Sequence, residues 1–151
     1  MAAGSTTETV IKPSGGGYNL SASVVPTGPT EIQINWQTDA SGRVTQTMTS
    51  TLAGFIVGVD YPSYSGASSP SGGHSVTLVH SASGVDLLAG TGANLSSSAA
   101  TSKAPGLTLT DGTNSSVMPR AVVNQPTLVV NGGGNTKNGT TYLVVRPLEK
   151  Q

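Results

Sequence analysis

The sequence predicts an all-β fold, an antiparallel β-sandwich or a jelly-roll-like barrel, with an extended N-terminal arm and long Gly/Ser loops. Three observations lead there. Val and Thr, whose branched side chains suit a pleated surface, are abundant, and no window carries the 3.6-residue apolar repeat of a packed helix. Turn residues recur roughly every 8–12 positions, the spacing of folds built from short strands. The chain has 151 residues, the length of one domain with a single core.

Residues 1–16 read as the arm, 17–147 as the domain and 148–151 as a tail. Within the arm, 7–12 form a short strand that Pro13 and the glycines at 15–17 interrupt, a composition that makes a flexible joint. Such a segment either frays or orders by adding a strand to a neighbour's sheet edge. On the second reading Thr9, Val10, Ile11 and Lys12 are candidate subunit contacts.

Residues 18–25 are a strand ending at Pro26. In 31–37, Ile32, Ile34 and Trp36 alternate with Gln33, Asn35 and Gln37, which gives one apolar and one polar face. Asp39-Ala40-Ser41-Gly42 reads as a hairpin turn, so 43–51 returns beside the preceding strand, its sparse apolar content leaving one face to water or a partner. Phe55, Ile56, Val57 and Val59 place 52–60 in the core. A loop rich in Pro, Ser, Gly and Tyr follows over 61–73, and its Tyr61 and Tyr64 are the remaining candidate contacts. Strands at 75–80 and 85–88 flank a turn at Ser83-Gly84; a second long segment, 89–105, is mostly Gly, Ala, Ser and Thr. Strands at 106–110 and 117–124 lead to a final hairpin pairing 127–130 with 140–146.

Charged residues make up 9% of the chain, against roughly 25% in ordinary soluble domains. Net charge is zero, so repulsion does little to keep copies apart, which suits a protein packed against neighbours. Lys12, Arg43, Lys103, Arg120, Lys137, Arg146 and Lys150 are scattered, so no nucleic-acid footprint is expected. There is no cysteine for a disulfide or a thiolate metal site. The first six residues lack a secretory signal pattern, and no apolar run nears the ~20 residues of a membrane helix.

The titratable groups do not cluster. Asp39 and Asp111 sit where turns use carboxylates, and Asp86 is placed to accept a backbone amide. His74 and His80 would lie about 20 Å apart along a strand, too far to share a metal, and read as ordinary polar positions. The glycine run before Lys137 fails the phosphate-loop pattern, because the lysine neither follows a glycine nor precedes Ser or Thr. Gly90-Thr91-Gly92 lacks the third glycine of a dinucleotide fingerprint, and no Gly-x-Ser-x-Gly elbow occurs. The expectation is a non-enzyme with no catalytic residue, metal or cofactor.

Three stretches resemble a group of small virion proteins of tailed bacteriophages and prophages. They are Trp36-Gln37-Thr38-Asp39-Ala40-Ser41-Gly42, then Gly84-Val85-Asp86-Leu87-Leu88-Ala89-Gly90-Thr91-Gly92-Ala93-Asn94, and Gly134-Asn135-Thr136-Lys137-Asn138-Gly139 leading into Tyr142-Leu143-Val144-Val145. The likeness runs over about residues 31–146; the loop 61–73 and the segment 1–30 depart from the pattern. The resemblance implies a structural component of the virion, assembled in the host cytoplasm, and transfers no functional residues. The leading expectation is a capsid decoration or cement protein on the outer head surface that stabilises contacts between capsomers. Its partners would be the major capsid protein and copies of itself, as a homotrimer, with no nucleic acid and no membrane. The alternatives are a tail, neck or fibre protein and, further off, a carbohydrate-binding surface domain in which Tyr61 and Tyr64 would form the platform.

Overall fold

The computed structural model describes residues 4–11, 29–49, 51–110 and 115–147. The strand expected at 18–25, the glycine joint at 13–17, Lys12, the Asp111 turn and the tail 148–151 lie outside the described residues. Ten strands occur among those described: β1 (Ser5–Ile11), β2 (Thr30–Gln37), β3 (Val44–Thr47), β4 (Leu52–Tyr61), β5 (Ser75–Val79), β6 (Thr101–Lys103), β7 (Gly106–Thr110), β8 (Ser115–Asn124), β9 (Thr127–Asn131) and β10 (Asn138–Pro147).

They form two sheets of unequal size. The larger has seven strands in the order β1-β2-β10-β4-β8-β7, with β6 also paired to β4; the smaller is β3-β9-β5. Every pairing is antiparallel. The expected choice between a sandwich and a jelly-roll-like barrel is therefore corrected: the fold is all-β with two sheets, and neither closes or curls strongly. The pairing gives the reason. Closure needs the terminal strands to find each other, yet among the described strands β1 and β7 end the large sheet and pair only inward, while β3 and β5 both pair with β9.

Both expected hairpins are also corrected. β2 and β3 lie in different sheets, as do β9 and β10. Because β2 pairs with β10 and β3 with β9, one two-stranded ribbon leaves the large sheet, turns a corner and continues into the small one. Thr38 joins the two turns there. Its Oγ1 donates to Gly134 O at 2.6 Å and accepts from Lys137 N–H at 2.9 Å, while its own N–H donates to Lys137 O at 2.9 Å. The Asp39 Oδ1 accepts from Ser41 N–H, Ser41 Oγ and Arg43 N–H, so a carboxylate closes the turn where the ladder has ended. These bonds hold its pKa below the ordinary aspartate value, Arg43 N–H contributing most. Gly42 takes φ +78° beside Gly134, a conformation that suits glycine.

The two sheets share one core. Alternation in β2 sends Ile32, Ile34 and Trp36 inward; β10 adds Leu143 and Val145, β4 adds Leu52, Ile56, Val59 and Tyr61, and the small sheet supplies Val44, Val76, Leu78, Leu128 and Val130. The buried Trp36 Nε1–H donates to the fully buried Thr141 Oγ1 at 3.3 Å, so each polar group answers the other. Leu87, Leu88 and Leu95 fold in from 84–95, a segment organised by Asp86 as the sequence predicts: its carboxylate accepts the N–H groups of Leu78, Leu88 and Gly90.

Candidate functional site

The face of the large sheet turned away from the core changes character along its strands. Alternation puts Ala53 and Phe55 of β4, Ala121 and Val123 of β8, and Val144 and Arg146 of β10 on that outer side. Val123 is 64% exposed, and the Arg146 guanidinium lies over the Phe55 ring at 5.5 Å. Towards the other end of β10 the same face becomes neutral and polar. Two cross-strand rows run over β1, β2 and β10: Thr7, Asn35 and Thr140, then Ser5, Gln37 and Asn138.

These rows floor a groove of about 570 Å³, whose wall is the 63–69 stretch of the β4–β5 connection. The floor is already ordered. Asn35 Oδ1 accepts from both Thr140 Oγ1 and Gln33 Nε2 at 2.9 Å, and Asn138 Oδ1 accepts from Gln37 Nε2 at 2.9 Å. The wall is pinned by Asn138 N–H donating to Ser68 O and by the Tyr64 phenol. Beyond Tyr61 the strand β4 has ended, so Thr140 of β10 has lost its ladder partner on that side. The Tyr64 hydroxyl replaces it, donating to Thr140 O at 2.7 Å and accepting Thr140 N–H at 3.1 Å.

Behind the groove sits His74, 1% exposed, with its ring 5.8 Å from Trp36 and 6.2 Å from Tyr64. Its Nδ1 lies 2.8 Å from Ser71 O, an acceptor only, so Nδ1 carries the proton and Nε2 faces the interior without a partner among the described residues. Burial lowers its pKa, and the bond to Ser71 opposes that shift.

The residues named from sequence fall in separate places. Thr9, Val10 and Ile11 lie on β1, in register with Gln33, Ile32 and Glu31 of the chain's own β2. At the other end of β1, Thr6 N–H donates to Gln46 Oε1 of the second sheet. Tyr61 belongs to the core at 2% exposure, with burial pushing its phenol up to about 12. Tyr64, half-buried, lines the groove. Asn35, Gln37, Asn138 and Thr140 were visible in the sequence only as the polar side of two strands; their convergence depends on β2 pairing with β10 across a hundred residues of chain.

Two of the three stretches that carry the phage resemblance meet at the Thr38 corner, and the third is the Asp86 loop. All three are turn-forming elements of the fold. Fold and site together define a two-sheet all-β protein whose outer face is largely apolar at one end and carries a neutral groove at the other. No family model, curated protein or solved structure matches the chain.

Proposed function

We propose that this chain is a structural protein of a tailed-phage particle, a decoration or cement protein that binds the outer head surface and bridges capsomers. The observation that carries the reading is the largely apolar end of the outer face, where Ala53, Phe55, Ala121, Val123 and Val144 lie together and their charged neighbour Arg146 lays its guanidinium over Phe55. A contiguous apolar area on a neutral protein favours association with a neighbour over free solution. The turn stretches that resemble virion proteins point to which kind of neighbour: the major capsid protein and further copies of this chain, as a homotrimer. Weak contacts repeated over a lattice add up to firm attachment.

The test is quantitative mass spectrometry of purified particles of a phage that encodes the chain. A decoration protein is present in numbers comparable to the major capsid protein. Absence from the particles, or a copy number far below that of the capsid protein, would overturn the decoration reading; the low copy number is what a neck or fibre part would give.

A further inference from the structure

We infer that the groove over β1, β2 and β10 is a binding site for a neutral oligosaccharide, separate from any lattice contact of the apolar end. Its volume of about 570 Å³ falls within the range of small-ligand sites, roughly 300–1,000 Å³. Among the described residues, all that line it except Trp36 and Gly139 carry a hydroxyl or a carboxamide, and none is charged. An ionic ligand would lose hydration there without meeting a counter-charge, and an apolar one would cover hydroxyls and amides without pairing them. Over the floor a peptide strand has little backbone to pair with, because β2 and β10 are interior strands and Tyr64 occupies the N–H and C=O of Thr140, which leaves it only the outer edge of β1. A chain of uncharged sugars presents what remains: many neutral donors and acceptors, and C–H faces for an aromatic ring.

The internal bonds of the floor decide which atoms are offered. With Asn35 Oδ1 committed to Gln33 and Thr140, its Nδ2 amide is the group left for a ligand; with Asn138 Oδ1 committed to Gln37, so is that of Asn138. Ser69 lines the groove, and its Oγ is buried with no partner among the described residues. The Tyr64 ring, half-buried and lining the wall, is held at its hydroxyl by Thr140 and at its side by His74. Fixed donors and an immobilised aromatic ring are preorganised features, which lowers the ordering cost of binding.

The test is a nitrogen-15 NMR titration of the full chain with maltohexaose, cellohexaose, laminarihexaose and chitotetraose, and with sialyllactose as a charged comparison. At least one neutral sugar is expected to shift the backbone amides of Asn35, Ser68, Ser69 and Thr140 in a saturable way. The variant Asn35→Asp keeps the oxygen that Gln33 and Thr140 bond and removes the free amide donors. Its affinity should fall about tenfold, the worth of one strong hydrogen bond, with the melting temperature unchanged. The assignment is overturned if none of the four neutral sugars shifts groove amides at millimolar concentration, if Asn35→Asp binds equally well, or if sialyllactose binds as tightly as the best neutral sugar.

Discussion

The Trp36 indole occupies the space that a side chain at position 139 would need: a Cβ there would stand 2.1 Å from its Cζ2. Gly139 is the cross-strand partner of Trp36, so the pairing of β2 with β10 and the seating of the largest core side chain are one arrangement. Gly139→Ala should cost about 1–3 kcal/mol, the usual penalty for overpacking a closed core, read as a lower urea midpoint with an unchanged slope. The inward course of Trp36 was legible from alternation alone. The need for glycine was not, because position 139 reads as the last residue of a glycine-rich connection until its partner is known. His74 shows the same limit: its sequence neighbours mark an ordinary polar position, while its burial comes from Trp36 and from the folding back of Tyr64. Its lowered pKa means that the unfolded chain takes up a proton first as pH falls below about 6.5. Stability should therefore be full above that pH and decline as pH falls from 6.5 towards the folded-state value. Melting curves across this range should show the decline in the wild type and a smaller one in His74→Gln.

At the scale of elements, most strands were readable and strand partnership was not; the strand expected at 85–88 is a turn segment with one isolated bridge at Asp86, and β6 lies within the expected loop 89–105. Period-two alternation is local, so β2, β4, β5 and β10 were visible in the chain. A tight hairpin and a corner between sheets use the same residue types, and Asp39-Ala40-Ser41-Gly42 fits either. What distinguishes them is the bonding of Thr38 to Gly134 and Lys137, almost a hundred residues away. The arm is the other element whose placement needed the fold, since β1 has no sequence signal for choosing β2. Deletion of residues 1–13 removes a strand at the end of the large sheet. The truncated chain should keep a single cooperative melt. It should also expose the unpaired edge of β2, which favours association between chains, and attach less strongly to phage heads. Circular dichroism and sedimentation velocity check the first two outcomes and head-binding assays the third. Loss of the cooperative transition would show that β1 is integral to the core.

For the whole molecule, the unequal sheets matter most. A three-stranded sheet packed on a seven-stranded one leaves the large sheet with an outer side, which this chain divides into an apolar end and a neutral polar end. Zero net charge was legible in the composition and pointed towards association. The division of one face into two regions was not, because it depends on the register of β10 against both β2 and β4. The most direct measurement is electron cryo-microscopy of intact particles at a resolution that traces strands. The account predicts this chain on the exterior of the head, with Phe55, Val123 and Val144 against a neighbouring subunit. A particle in which the chain is present but those residues face solvent would contradict it.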